Sequence, residues 1–206
     1  MTTINPGTNL PALAGRFWLT LLTALLALAL SATDIAFSNS YFDRNLIGEG
    51  QIWRLLSGHF THTSISHLSW DLIAFLFAMG YIERISRPAA CLSLIGGLLA
   101  VNALLLSPLA EFERYAGLSG VLFTPLAIAM IHLGLKQNTL EGWLPALICL
   151  VKITTEQYTG TALFSDSQWP PYTAAHIAGS VGGITLLMFP GFRAYLWPQV
   201  TEPDYS

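Results

Sequence analysis

Residues 89–107 read AACLSLIGGLLAVNALLLS, nineteen positions without a single charge. A helix of that length rises about 28 Å at 1.5 Å per residue, close to the roughly 30 Å hydrocarbon thickness of a bilayer. Taken alone, the run also suits a helix buried in a soluble core. The rest of the chain decides between the two. Of 206 residues, 53% are hydrophobic and only 10% are charged, against about a quarter charged in ordinary soluble domains. Mean hydropathy is positive. The few charges gather between long apolar runs and do not scatter along helix faces, which is the distribution that lipid contact demands.

Runs near the roughly 17–25 residues needed to span a bilayer recur along the chain. They are Phe17–Asp34, His67–Ile82, Ala89–Ser107, Ser119–Leu135, Trp143–Tyr158 and Tyr172–Pro190. The sequence therefore predicts an all-α membrane protein, a bundle of six transmembrane helices over residues 16–192. A segment 1–15 precedes it and a tail 193–206 follows. The second run is short for a span unless it starts inside a water-filled cavity. The first imitates a signal peptide, with Arg16 ahead and Ser31 and Ala32 behind. The polar stretch before Arg16 is long for such a leader, and a membrane bundle follows directly, so this helix is expected to be retained.

An N-terminus in the cytoplasm puts Arg16, Arg84, Arg87, Lys136 and Arg193 inside, and Arg44, Arg54 and Arg114 outside. The basic bias therefore favours an N-in, C-in topology. Cys91 and Cys149 lie in apolar runs without a disulfide signal and are expected to be small core residues. The tail past Trp197, with two prolines and acidic residues, is expected to be disordered. Lipids are the expected surroundings, and nothing points to nucleic acid.

The longest connection, from about Ile35 to Thr61, carries Trp53-Arg54 among apolar residues. It reads as an interfacial segment, with Trp53 at the headgroups and Arg54 reaching phosphate. It also reads as an embedded loop shaping the entrance to a site, and the two are compatible. The other connections are short, and there is no internal repeat.

Polar groups inside apolar spans say most about function, because burying one without a partner costs several kcal/mol. His59-Phe60-Thr61-His62 leads to His67 and Asp71, whose spacing of four puts both on one helical face. Ser119 stands in Gly117-Leu118-Ser119-Gly120, where the fourth run begins. His176 lies one turn into the sixth, and Lys152 and Glu156 share a face of the fifth. Each has an ordinary explanation. Small residues mark close packing, an intramembrane histidine lines a proton path or satisfies a carbonyl, and an i,i+4 ion pair lets a lysine survive in lipid. Topology changes the balance. The second, fourth and sixth runs all enter from the outer side, which brings His62, His67, Asp71, Ser119 and His176 to one layer. His59, His62, His67 and Asp71 also offer nitrogen and oxygen to a metal. Their spacing is not the His-Glu-x-x-His of helical metalloproteases, and neither a metal nor another cofactor is expected.

Together, Trp53-Arg54, His62-x4-His67, Gly117-Leu118-Ser119-Gly120 and Ala175-His176-x-x-Gly179 resemble the rhomboid intramembrane serine proteases in order, spacing and topology across roughly residues 15–192. The resemblance implies a Ser–His dyad without a third acidic member, Ser119 as nucleophile and His176 as its base. It further implies an oxyanion hole made by His67 and the Ser119 N–H, with His62 on the wall of the site. Gly179 and Gly183, four apart, would let the sixth span pack closely on the fourth. One position departs: the family commonly has Asn where this chain has Asp71. An ionised Asp cannot donate a hydrogen bond to an oxyanion, so the expected role of Asp71 is to orient His67.

The compact build, with Lys152, Glu156 and Gln157 in the fifth span, is similar to the rhombosortase branch. That branch implies a bacterial inner-membrane enzyme opening toward the periplasm. Its substrates would be surface or secreted proteins with a C-terminal single-span anchor bearing a Gly-Gly motif. Three alternatives stand beside this: a general rhomboid protease, a catalytically inert relative that captures transmembrane helices, and a transporter using His67, Asp71, Lys152 and Glu156 as a proton path.

Overall fold

A computed structural model of the protein describes residues 15–166 and 169–197. The 1–15 segment (Gly15 apart) and the tail past Trp197, including its expected disorder, lie outside the described residues. In chain order the elements are α1 (Trp18–Leu30), α2 (Asp34–Ser40), β1 (Phe42–Asp43), α3 (Arg44–Gly48), α4 (Arg54–Ser57), α5 (Ile65–Ile85) and α6 (Arg87–Leu106). Then follow β2 (Arg114–Tyr115), α7 (Ser119–Gln137), α8 (Leu140–Thr159), α9 (Thr173–Met188) and α10 (Pro190–Leu196).

Among the described residues, α5, α6 and α7 are long and apolar enough to cross a bilayer. The count rises to five if the bent pairs α1–α2, at 108°, and α9–α10, at 94°, are each one span. The 20-residue α8 is long enough as well, but Lys152, Glu156 and Gln157 make its second half polar. Of these Glu156 belongs to the interior, at only 2% exposed, while Lys152 is half-buried and Gln157 is exposed.

Local signals explain where the helices begin and end. The second run extends at both ends into the 21-residue α5. At its start the Ser64 hydroxyl caps the helix, accepting the N–H of His67 at 3.1 Å, which begins the helix ahead of the apolar pattern. Near its end Glu83 is buried, accepting the N–H groups of Leu19 and Thr20 and the Thr20 hydroxyl at 3.1, 2.9 and 2.6 Å. A carboxylate at the start of α1 satisfies donors that have no partner inside that helix. Asn138, in the left-handed conformation with φ 50°, stops α7. The Thr139 hydroxyl then caps α8 by accepting the Gly142 N–H, so α7 and α8 form a tight hairpin.

α7 is the central helix, packed on by α5, α6, α8 and α9. Phe75, Met79 and Ile82 of α5, Val101 and Leu105 of α6, and Val121 and Ile128 of α7 are fully buried around it. The seam with α9 is made of small residues. A methyl group on Gly179 would collide with the Gly120 carbonyl oxygen, and one on Gly183 would lie 2.7 Å from that of Thr124. The Thr124 hydroxyl donates to the Gly179 carbonyl at 2.7 Å, replacing lost side-chain contacts with a hydrogen bond.

The segment between α1 and α5 folds into short helices and a two-residue ladder, a small exception to the all-α expectation. In that ladder Phe42 pairs with Tyr115 and Asp43 with Arg114. Trp53 is half exposed, with its indole N–H donating to the Asn39 carbonyl at 3.0 Å. Arg54 corrects the sequence reading: it turns inward and does not reach a phosphate. Its guanidinium donates to Gln51 Oε1 at 2.8 Å and to the carbonyls of Tyr41 and Ser38 at 2.7 and 3.1 Å. Three acceptors fixed by the loop fold outcompete an exposed headgroup for a planar, forked donor that is itself buried.

The cysteines are free, but neither is core. Cys91 is exposed because the buried face of α6 runs through Ala90, Ser93, Gly97 and Val101, and Cys149 lines a cavity.

The α7–α9 seam yields a direct test. Gly179→Ala, forced against backbone, is expected to destabilise by about 1–3 kcal/mol, read as a lower Tm in detergent. Gly191→Ala, where a methyl group meets nothing within 4 Å, should leave Tm unchanged.

Candidate active site

α5, α7 and α9 all begin at the same end of the bundle, and their first turns carry His67, Ser119 and His176. Ser119 is the first residue of α7, so its N–H has no partner within the helix and lies at the positive end of the helix dipole. His176 Nε2 lies 3.0 Å from Ser119 Oγ. Phe123, one turn after Ser119 on the same face, stacks on the imidazole with centroids 4.6 Å apart and planes at 20°. The histidine ring is thus held edge-on to the hydroxyl. A serine hydroxyl is a weak nucleophile until an adjacent base takes its proton, and this pair has the geometry for that transfer.

The turn before Ser119 is fixed by side chains. Gly117 has φ 141°, and a methyl group there would lie 2.9 Å from the His67 ring and 3.7 Å from Ser119 Oγ. A glycine is required on both counts. The Leu118 N–H reaches His62 Nε2 at 3.2 Å. The Tyr115 hydroxyl donates to the Gly117 carbonyl at 2.7 Å and accepts the Gly120 N–H at 3.1 Å. Burial raises the pKa of this phenol, which keeps it protonated as the donor it must be. The Gly117 N–H donates to the Gly58 carbonyl at 3.2 Å, tying the turn to the loop before α5. Tyr115 and Phe123 were not legible as site residues, since an aromatic in an apolar stretch gives no signal of its partner.

Asp71 Oδ2 lies 3.1 Å from His62 Nε2 and 3.4 Å from His67 Nε2, so it touches both rings and is closer to His62. His62 differs from its expected place on the wall. Its ring stands one layer behind, engaged by Asp71, by Leu118 and, through Nδ1, by the Ser31 hydroxyl at 3.2 Å. His62, His67 and Asp71 bring ligand atoms within 4.8 Å of one another and have donor chemistry suited to a zinc-like ion. In this arrangement the Asp71 carboxylate is turned to the Nε2 atoms of both rings. His59 is separate from the group: it is fully buried against Tyr115, and burial pushes its pKa down to about 4, leaving a neutral packing residue.

The dyad opens on a cavity of about 670 Å³. Its walls come from α5 (Trp70, Ile73), α8 (Cys149, Lys152) and the two loops that precede α7 and α9. Glu156 also lines it. Lys152 Nζ donates to Glu156 Oε2 at 2.6 Å, and Gln157 accepts a hydrogen bond from the Thr173 hydroxyl at the start of α9. Trp53 and Arg54 do not line the cavity among the described residues; they brace the loop behind it.

A helical membrane protein with a serine–histidine pair at the floor of a largely apolar cavity is a recognisable class. Residues 49–191, more than half of the chain, match the family described as Rhomboid domain. The chain belongs to the rhomboid family, which makes it a multi-pass intramembrane serine protease acting on transmembrane substrates. No curated protein matches the sequence.

Removing the Tyr115 hydroxyl would strand two buried backbone groups beside the nucleophile, at about 1–3 kcal/mol for a group left unpaired. Tyr115→Phe is therefore expected to slow covalent labelling of the serine by a fluorophosphonate roughly tenfold or more. The second-order labelling rate in detergent measures it.

Proposed function

We propose that the protein is a rhombosortase-like endopeptidase, with Ser119 as nucleophile and His176 as general base. The 3.0 Å contact between His176 Nε2 and Ser119 Oγ carries the reading. In the reaction, the Ser119 proton passes to Nε2 as Oγ attacks the scissile carbonyl. The imidazolium then returns that proton to the leaving amine. The Ser119 N–H and His67, on either side of Gly117, supply the oxyanion hole, where each donor is worth about 3–4 kcal/mol in well-studied enzymes. Asp71 Oδ2, 3.1 Å from His62 Nε2 and 3.4 Å from His67 Nε2, orients both rings behind the nucleophile.

Six helices, α1 and α5 to α9, cross the bilayer within a domain spanning 16–192. The N-terminus is inside and the cavity opens toward the periplasm of a bacterial inner membrane. The basic residues between spans support this orientation. The Lys152, Glu156 and Gln157 set in α8, similar to the rhombosortase branch, supports a C-terminal single-span anchor with a Gly-Gly motif as substrate.

Covalent labelling by a fluorophosphonate in detergent tests the dyad. Wild type should label, while Ser119→Ala and His176→Ala should lose the signal; a folded wild type that does not label would sink the proposal. Specificity needs a second measurement. A reporter carrying a Gly-Gly C-terminal anchor, co-expressed with the protease, should be cut, and the same reporter with Gly-Gly changed to Leu-Leu should survive. Equal cleavage of both would leave a general rhomboid protease.

A further inference from the structure

For His176 Nε2 to accept the serine proton, the neutral ring must carry its own hydrogen on Nδ1. That nitrogen is buried and has no hydrogen-bond partner among the described residues. One carboxylate faces it. Glu156 Oε2 lies 3.9 Å from Nδ1, and both side chains are almost sealed, at 2% and 5% exposure. The carboxylate is held rigidly by two other donors: Lys152 Nζ at 2.6 Å on Oε2, and the Leu163 N–H at 3.0 Å on Oε1. Asp71, the other buried carboxylate of the site, is taken up by His62 and His67.

We infer that Glu156 is the acidic third member of this active site, a positioning residue that turns the Ser119–His176 dyad into a triad supplied by α7, α9 and α8. The inference rests on the dyad reading above. In the resting enzyme Glu156 favours the tautomer with hydrogen on Nδ1, leaving Nε2 free to accept. When the Ser119 proton moves to Nε2, the ring becomes cationic, and the buried carboxylate, 3.9 Å from Nδ1, stabilises that charge through space. No proton moves to Glu156: the one on Nδ1 stays there, and the one on Nε2 leaves with the amine. Serine hydrolases on unrelated folds place a carboxylate at the same ring nitrogen, there in direct hydrogen-bond contact. Lys152 has a separate part, fixing the carboxylate and balancing its charge in an apolar setting.

The competing role is structural, an ion pair kept only so that Lys152 is not buried alone, and the test separates the two. Glu156→Gln keeps the shape and removes the charge. It is expected to lower kcat for peptide-bond cleavage by at least tenfold with KM within about twofold, with Glu156→Asp recovering part of the loss. Because the Gln variant strands Lys152, the double variant Glu156→Gln, Lys152→Met is measured as well. Under the triad its kcat stays as low as that of the single variant even where its Tm recovers. A double variant restored to within twofold of wild-type kcat would overturn the inference, as would a folded Glu156→Gln with unchanged kcat. Failure of the dyad itself is distinguishable, because Ser119→Ala would then keep its activity.

Discussion

The bundle depends on how closely the backbone of α9 approaches that of α7. At Gly179 no atom beyond Cα fits beneath the Gly120 carbonyl, and at Gly183 the Thr124 carbonyl leaves little more room. Helices in lipid gain nothing by hiding apolar surface from one another, so close packing and interhelical hydrogen bonds must hold them. Both occur here, the second as the Thr124 hydroxyl on the Gly179 carbonyl. One turn above Gly179 stands His176, and beside Gly120 stands Ser119. The separation of the pair is therefore set by main chain against main chain. A bulkier residue at the seam would act on the chemistry through distance, without touching either group.

Around that contact the backbone of the turn before Ser119 is paired, whereas His59, His67 and His176 each keep a buried ring nitrogen without a hydrogen-bond partner among the described residues. The turn before the nucleophile has its N–H and carbonyl groups assigned to Tyr115, His62 and Gly58. The loop between α1 and α5, joined to β2 by the Asp43–Arg114 pair at 3.1 Å, backs this turn. Donors fixed before substrate arrives need no reorganisation when charge develops on the substrate oxygen.

Much of this was legible in the residues, and the limits have physical causes. Apolar length alone located α5, α6 and α7, because lipid imposes a single condition on a spanning helix. It fitted α8 poorly, since a helix lining a cavity carries polar residues that a lipid-facing one would not. The spacing of His67, Ser119 and His176 from the starts of their helices placed them in one layer, and the structure brings Ser119 and His176 into contact. Arg54, Tyr115 and His62 were read less well. Their partners lie far along the chain or in backbone groups that the sequence does not mark, and an arginine beside a tryptophan looks the same whether its acceptors are lipid or carbonyl. Cys91 shows the same limit, since a run apolar all round hides which face is buried.

The polar half of α8 also bears on how the protein is assembled. A helix with Lys152 and Glu156 in its second half is expensive to place alone in hydrocarbon, where a charged residue costs about 2.5–3.5 kcal/mol at mid-depth even by the lenient insertion scales and less toward the ends. Locked at 2.6 Å, the two enter as a nearly neutral unit, and the carboxylate finds its further donor at Leu163 only once the following loop is formed. The tight turn at Asn138 and Thr139 delivers α8 directly onto the already apolar α7. If α8 is one of six spans, as proposed, its insertion is a property of the hairpin and not of the segment. The residues that make it a poor solitary span are the ones that make it useful beside the serine.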